Sequence, residues 1–304
     1  MKEKVGAPFR LREQASFCTR LLALTKRSFV NMHRDIGYYW MRFAVFTACT
    51  CVGTVYHQID NIYNSIQTRC NVMMYMTIFL TTMAIGGFPS FVQDIKLFRR
   101  ERLSGHYGVN EFVISNTVSA TPYLAVMIII PGTVLYYLTG LTRGAGNVAY
   151  FVTTLYTCNI LVESMMMVIA VVVPDFLMGV IVVGTGVQGM MMLNGGFFHL
   201  PSSLPKPVWK YPCYYISLHK YAVQGLYKNE FAGQTFASDQ LVMANATITG
   251  HQVLEALQVE MWYSKWVNVA ILFGMAVVYR MMFFAIVKVA EKLRAKAWGV
   301  KCGI

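Results

Sequence analysis

The amino-acid sequence predicts an all-α integral membrane protein with six transmembrane helices preceded by an interfacial helix. Composition carries the first part of this prediction, because 56% of the 304 residues are apolar and only 13% are charged. A soluble domain is about 45–50% apolar and about 25% charged. The number of helices is predicted from the apolar residues, which fall into six runs of about 20 residues, the length that a helix needs to cross the hydrocarbon of a bilayer.

The first element is a basic segment, residues 1–35, which lacks the apolar core and the small-residue cleavage site of a signal peptide. Within this segment Phe17, Leu21 and Leu24 share one face of a helix, while basic side chains lie elsewhere. This pattern predicts an interfacial helix just before the first span. The alternative is an ordinary solvated basic segment.

Six apolar spans follow and form a transmembrane domain at residues 36–287. An external segment at about 199–264 separates the last two spans, and a basic cytoplasmic tail occupies 288–304. The spans are predicted at Ile36–Tyr56, Asn71–Val92, Phe112–Leu138, Asn147–Val173, Phe176–Phe198 and Lys265–Val287.

The distribution of lysine and arginine predicts the orientation of these spans. Seventeen of the 26 basic residues lie on the side of the two termini and six on the opposite side. Cytoplasmic loops carry the excess of basic residues, so both termini are predicted to be cytoplasmic. The net charge of +12 is then loop charge beside anionic lipid, and a nucleic-acid partner is not expected. The sequon at Asn245 falls on the outer side, where it could be glycosylated.

The sequence argues against several kinds of catalytic site. The seven cysteines include no CxxC pair, and no HExxH occurs, so no metal site or disulfide framework is predicted. No GxxxxGK[ST] phosphate loop is present, so no ATPase activity is expected of this chain. The GxGxxG match at 184–189 lies inside the fifth span, where small residues favour close helix packing over dinucleotide binding. An integral-membrane enzyme is therefore disfavoured.

Three ionisable residues, Arg42, Glu163 and Arg280, lie within predicted spans. Charge in hydrocarbon is costly, and such residues are usually paired or functional. The two arginines can extend their side chains to the interface. Glu163 lies near the middle of the fourth span, which leaves two interpretations open: a structural pair, or a polar wall of a translocation pathway.

Several segments, taken together, resemble one family, the white–brown type G subfamily of ABC transporters. The first resembles its intracellular coupling loop, the next four its external re-entrant region, and the last two the final span of plant half-size members associated with cuticular lipids. They are FRRERLSGHYG at 98–108, NGGFF at 194–198, LPKPVWKYP at 204–212, YIS at 215–217, KNEF at 228–231, SKWVN at 264–268 and YRMMFF at 279–284.

The resemblance implies an ABC-2 type membrane domain that exports lipidic or amphipathic substrates, powered by ATP. Family members carry a nucleotide-binding domain ahead of the membrane domain, so this chain is interpreted as the membrane half alone. It is expected to bind no cofactor itself and to use nucleotide-binding domains, with their ATP-Mg, from elsewhere. The expected partner is a second half-transporter, in a homodimer or heterodimer, within the lipids of the plasma membrane.

The resemblance also implies a gate at the outer end of span five. Phe197 and Phe198, with the nearby Asn194, stand where the family places an apolar constriction between two membrane domains. In this sequence Gly196 and the two phenylalanines replace the leucine pair of some members. The alternative is that both rings only anchor the helix at the interface, as aromatic-belt residues do.

A second implied site is the coupling loop with Arg99, Arg100, Glu101 and Arg102. Arginines alone would be ordinary positive-inside charge. Glu101 adds nothing to orientation, so its presence favours ion pairs that transmit motion from the cassettes. The competing function is a truncated, non-transporting protomer that dimerises with full half-transporters and regulates them.

Overall fold

The computed structural model describes residues 16–34, 36–103, 107–173, 175–196, 198–237 and 247–301. It is about 79% helical, which confirms the all-α class. The first half of the described chain consists of long helices joined by short connections. They are α1 Phe17–Arg34, α2 Ile36–Val55, α3 Ser65–Ala84, α4 Phe88–Leu103, α5 Val109–Thr139 and α6 Ala145–Val172.

The second half contains shorter elements between α6 and one long final helix. A π-helical stretch, Val182–Gln188, joins α7 to α8, and another, Trp209–Cys213, leads into α9. The elements are α7 Phe176–Ile181, α8 Gly189–Leu193, α9 Tyr214–Ile216, α10 Leu218–Phe231, β1 Thr235–Ala237, β2 Thr247–Thr249, α11 Gly250–Ala256 and α12 Lys265–Lys301. The two strands pair antiparallel, with Phe236 opposite Ile248.

Four helices in the described ranges are long and apolar enough to cross a membrane. One of them is continuous from α3 into α4, because a single 3-10 turn at Ile85–Gly87 joins the two. The first and fifth predicted spans fall on shorter apolar helical stretches, Phe43–Val55 and Leu177–Leu193. The count of six spans and the re-entrant external region therefore stay predictions. The four helices are Ser65–Arg102, Val109–Thr139, Ala145–Val172 and Lys265–Ala290.

The interior consists of two apolar cores, and α6 contributes to both. One core surrounds Phe88 and Phe98 of α4 and includes Leu161 of α6. The other includes Leu135 of α5 and Tyr150 of α6. Because α6 packs against α3, α4, α5, α10 and α12, it is the central helix of the described bundle. A polar side chain on α6 is therefore surrounded by protein.

The helix predicted just before the first span forms as α1 and packs along α5. Of the three apolar residues predicted to share a face, Leu24 is buried and Leu21 is half-buried, whereas Phe17 is 43% exposed. The helix is thus held by the protein on part of its apolar face. Its position at the membrane interface stays a prediction.

Helix α10 is buried along its whole length, from Leu218 to Phe231. It packs against α3, α6 and α12, and the β1–β2 hairpin and α11 follow it directly. The helix nevertheless carries Lys220, Lys228 and Glu230. Burial of charged groups is costly unless they are paired, so each needs a partner within the fold.

We expect Gly250→Ala to lower the free energy of unfolding by about 1–3 kcal/mol through overpacking. A β-carbon at this position would lie 1.8 Å from the carbonyl oxygen of Phe231 and 2.8 Å from its carbonyl carbon, so the backbone between α10 and α11 must move. The matched control is Gly146→Ala in α6, where no atom lies within 4 Å of the added carbon. Thermal unfolding in detergent should show a lower midpoint for the first variant and an unchanged or higher midpoint for the control. Equal midpoints would contradict this packing.

Candidate functional site

The charged end of α4 is joined to α1 and to the start of α5 through one carboxylate. Arg27 Nη1 donates a hydrogen bond of 2.6 Å to Glu101 Oε1. The hydroxyl of Tyr107 donates one of 2.6 Å to the other oxygen, Glu101 Oε2. Glu101 therefore connects three segments of the chain. This is a structural role, separate from the effect of charge on the orientation of spans in the membrane.

Tyr107 extends this connection into the apolar core. Its ring lies 5.8 Å from that of Phe98, whose ring stacks at 4.4 Å on Phe112 of α5. Phe112 in turn lies 6.4 Å from Phe283 of α12. Burial, together with the hydrogen bond to Glu101, raises the pKa of the Tyr107 phenol, so the hydroxyl keeps its proton and acts as a donor.

The neighbouring arginines of α4 have different contacts. Arg99 Nη2 donates to the carbonyl oxygen of Val171 at 3.3 Å, at the end of α6, where helix carbonyls lack partners and a cation is favourable. Arg102 Nη1 donates to the carbonyl oxygen of Tyr107 at 3.2 Å. The side chain of Arg100 is exposed. Arg99, Glu101 and Arg102 thus contact α1, the end of α6 and Tyr107, which lies just before α5.

A second carboxylate, Glu111 in the first turn of α5, fastens α1 again. Its Oε2 accepts a hydrogen bond of 2.9 Å from the backbone of Gly108, and its Oε1 lies 3.4 Å from Arg20 Nη2. Arg20 and Arg27 are two helical turns apart and so lie on one face of α1. We call the set Arg20, Arg27, Glu101, Tyr107 and Glu111 the coupling surface.

The ion pairs of the coupling surface position the helices that they join and contribute little to the free energy of unfolding. Arg27 and Glu101 keep 38% and 26% of their side-chain surface exposed. Partly exposed ion pairs contribute about 0–1 kcal/mol each. Their effect is instead geometric, because they hold α1 against the end of α4 and the start of α5.

Glu163, the candidate left between two interpretations, is paired. Its Oε1 lies 3.2 Å from Arg280 Nη2 of α12. The same guanidinium donates to Ser164 Oγ at 2.9 Å and contacts Met167 Sδ at 2.7 Å. Arg280 therefore points into the bundle and does not extend to the interface as predicted.

The gate candidates lie at the end of the short apolar stretch that contains α8. Asn194 is buried, and its Nδ2 donates at 2.8 Å to the carbonyl oxygen of Met190, one turn back. The side chain of Phe198 is 48% exposed. Phe197 lies outside the described residues, as does the glycosylation candidate Asn245. The role of all four stays a prediction.

Sequence reasoning missed a buried ion pair between α3 and α10. Arg69 of α3 and Glu230 of α10 are both buried and form a salt bridge. Arg69 Nη2 also donates to the carbonyl oxygen of Ile59 at 2.7 Å, and the backbone of Thr142 donates to Glu230 Oε2 at 3.1 Å. The sequence interpretation counted Arg69 as an ordinary loop charge, because nothing in it signals a contact between residues so far apart.

Lys220 is a second buried charge that the sequence did not reveal. Its ammonium nitrogen lies 2.9 Å from Glu260 Oε1 and 4.4 Å and 3.9 Å from the ring centroids of Tyr214 and Tyr215. Aromatic faces attract a desolvated cation. The one available signal was the density of tyrosines around residue 215. The ion pairs of Glu230 and Lys220 therefore hold α10 in place.

Comparison with known proteins places these features in a family. The model of the family described as ABC-2 type transporter matches residues 19–231. The chain is 48% identical over 282 residues to ABC transporter G family member 1 of Petunia hybrida, covering 92% of the chain and 43% of that relative. It is 47% identical over 280 residues to ABC transporter G family member 11 of Arabidopsis thaliana, covering 91% and 39%. The chain thus spans about two fifths of the length of these curated relatives.

Proposed function

The chain belongs to the ABC-2 type membrane domains of the ABC transporter G family, and we propose that it is the membrane subunit of an ATP-driven exporter. The proposed substrates are lipidic or amphipathic. The proposed partners are a second half-transporter and nucleotide-binding domains, which supply ATP hydrolysis because this sequence contains no phosphate loop. The plasma membrane, with both termini cytoplasmic, is the proposed location.

The observation that carries this proposal is the coupling surface. A membrane domain driven by cassettes needs a cytoplasmic element whose displacement reaches the spans. Glu101 connects the end of α4 to α1, and the Tyr107–Phe98–Phe112 ring cluster continues to α12. A force applied at the end of α4 would therefore act on three helices of the bundle.

The character of the fifth span supports an apolar or amphipathic substrate. Residues 176–193 contain no charged side chain. Leu177, Met178, Ile181, Met190 and Leu193 of this stretch expose large parts of their apolar side chains. A pathway along this surface offers no group to balance an ionic substrate, and charge in such surroundings is costly.

Reconstitution in vesicles tests the proposal. Inside-out vesicles should hold this chain together with a cassette-bearing half-transporter of the same family, and a fluorescent long-chain lipid analogue is supplied outside with ATP-Mg. We expect lipid uptake into the lumen only when both polypeptides and ATP are present. Vesicles with either polypeptide alone, or with a partner unable to hydrolyse ATP, serve as controls.

Two results would contradict the proposal. Equal uptake with and without this chain would show that it is no part of the pathway. Uptake that falls as this chain is added to an active partner would indicate the regulatory, non-transporting protomer instead.

A further inference from the structure

The last helix, α12, continues beyond the apolar stretch that can cross a membrane. Between Lys265 and Lys288 lie 22 residues, which rise about 33 Å as a helix, close to the hydrocarbon thickness of about 30 Å. The only charged residue among them is Arg280, which is paired inside the bundle. Helix α12 nevertheless extends to Lys301. Its last part, residues 288–301, therefore lies outside the hydrocarbon, and we call it the basic end of α12.

The basic end of α12 carries a concentrated positive charge. It contains five basic residues and one acidic residue, Glu291, and its net charge is therefore +4. Clusters of about four to eight lysines and arginines directly on the cytoplasmic side of a span are typical of segments that bind anionic lipids. Charge complementarity thus indicates an anionic partner. The five basic residues are Lys288, Lys292, Arg294, Lys296 and Lys301.

Three of these lysines form a row along the helix. Lys288, Lys292 and Lys296 follow one another at intervals of four residues, so they lie on one face at steps of about 6 Å. Lys288 is exposed, and its ammonium nitrogen lies 4.4 Å from the ring centroid of Phe284, one turn back. Lysines at the end of a span place their charge at the interface in this way. Lys288 therefore marks the boundary between hydrocarbon and headgroups.

The heights of the three lysines above the hydrocarbon select the headgroup. The headgroup region of a bilayer is about 5–8 Å thick on each side. Lys292 lies about 6 Å beyond Lys288 along the helix axis, at the level of the lipid phosphodiesters, and Lys296 lies about 12 Å beyond it. A simple headgroup ends near the level of Lys292. A phosphorylated inositol ring carries further phosphates beyond the phosphodiester, so one such lipid can contact two or three of the lysines.

A basic helix can also bind an acidic protein such as calmodulin, which encloses its target helix. The continuity of α12 argues against this partner. The basic end follows the span without a break in the helix, and its first lysine, Lys288, lies at the membrane boundary. A protein therefore has no access to all sides of the first turns, whereas lipid headgroups surround them.

We propose that the basic end of α12 binds the headgroup of a phospholipid with a multiply phosphorylated inositol, through the row Lys288, Lys292 and Lys296. The proposal depends on the proposed function only for the leaflet, which the orientation makes the cytoplasmic one. Binding itself needs neither cassettes nor ATP, so a failure of the export experiment would leave it intact. Because α12 packs along the central helix α6, the lipid would bind at one end of the bundle's main helix contact.

Direct binding to the purified full chain in a neutral detergent tests the proposal. The probes are fluorescent phosphatidylinositol bisphosphate, phosphatidylserine and phosphatidylcholine with the same acyl chains, and fluorescence anisotropy measures their affinities. Each lysine near an anionic surface contributes about fivefold in affinity. We therefore expect the bisphosphate to bind at least about fivefold more tightly than phosphatidylserine, and phosphatidylcholine to bind most weakly. Equal affinities for the bisphosphate and phosphatidylserine would overturn the assignment of the headgroup.

Ionic strength and a protein competitor provide two further results. Raising the salt concentration from about 0.1 M to about 1 M shortens the screening distance from about 10 Å to about 3 Å. We expect this change to weaken binding of the bisphosphate at least about tenfold, and an affinity independent of salt would contradict the proposal. Saturable binding of calcium-loaded calmodulin, without any preference of the chain for the bisphosphate, would replace the lipid by a protein partner.

Charge variants locate the site. The triple variant Lys288→Gln/Lys292→Gln/Lys296→Gln should weaken binding of the bisphosphate about a hundredfold, and glutamine keeps nearly the helix propensity of lysine. The matched control, Arg143→Gln/Lys206→Gln/Lys210→Gln, removes the same charge from the opposite side of the predicted spans and should bind as the unmodified chain does. Equal losses in the two triple variants would show that net charge, and not the lysine row, governs binding.

A change of the opposite sign keeps the test decisive if the first triple variant fails to fold. Glu291→Gln removes the one acidic residue of the basic end and raises its net charge by one. We expect it to tighten binding of the bisphosphate about fivefold. Unchanged or weaker binding by Glu291→Gln would overturn the proposal.

Discussion

We expect Glu101→Arg to lower the amount of lipid exported per ATP hydrolysed by about tenfold, in vesicles that hold this chain with a cassette-bearing partner. The variant places two arginines together where Arg27 donates to Glu101 at 2.6 Å, and it removes the acceptor of the Tyr107 hydroxyl. Free energies of coupling between sites are typically about 1–3 kcal/mol, or about 5–150-fold. Because the pair is partly exposed, we expect little change in thermal stability.

Charge exchange separates coupling from local damage. The double variant Arg27→Glu/Glu101→Arg restores an ion pair between α1 and α4 but not the Tyr107 hydrogen bond, so we expect partial recovery of export per ATP. Lys96→Glu, an exposed charge reversal on the same helix, is the control and should leave the ratio unchanged. If Glu101→Arg and Lys96→Glu behave alike, Glu101 has no special part in coupling.

Arg69→Met is expected to destabilise the fold more than any other single change discussed. Removal of one partner from a buried ion pair typically costs about 3–5 kcal/mol, because the other charge stays buried. Here the substitution leaves the buried Glu230 with only its hydrogen bonds from Thr142 and removes the bonds of Arg69 to Ile59 and Asn61. The midpoint of thermal unfolding in detergent measures the loss.

The controls for Arg69→Met are changes at Glu230 itself and next to Thr142, which also binds Glu230. Arg143→Met removes an exposed arginine from the loop after α5 and should change the midpoint little. The double variant Arg69→Met/Glu230→Gln also removes the buried carboxylate that Arg69→Met leaves unpaired. It should recover part of the decrease in the unfolding midpoint. Similar midpoints for Arg69→Met and Arg143→Met would show that the buried pair contributes no more than a surface charge.

The sequence predicted the helical class and the helices at α3, α5, α6 and α12, because apolar runs of membrane length leave few alternatives. The first and fifth spans were harder to predict. The fifth run contains Gly184 and Gly186, and the structure has a π-helical stretch there in place of a continuous α-helix. Glycine and local π geometry interrupt the regular period without lowering apolarity, so hydropathy alone cannot locate the interruption.

Site residues were predictable where a charge stood out from its surroundings. Glu101 lies among arginines and Glu163 lies in an apolar span, so the sequence alone predicted both as candidate site residues. Both have specific partners in the fold. The partners themselves were not predictable. Arg280 was expected to extend to the interface, and Arg69 was counted as a loop charge, because the contacts join positions more than 100 residues apart along the chain. Only the tertiary fold brings such pairs together.

The complete burial of α10 has a consequence for how the protein is made. The helix bears Lys220 and Glu230 and cannot partition into lipid by itself, yet it is synthesised before all of its surroundings exist. One wall of those surroundings is α12, which emerges after α10 and whose Lys265 donates to Asn229 of α10 at 2.8 Å. The packing of α10 is therefore completed only after α12 has been made. A chain interrupted before residue 265 would lack α12 and leave the charged helix α10 incompletely packed. We expect membrane quality control to recognise such a chain.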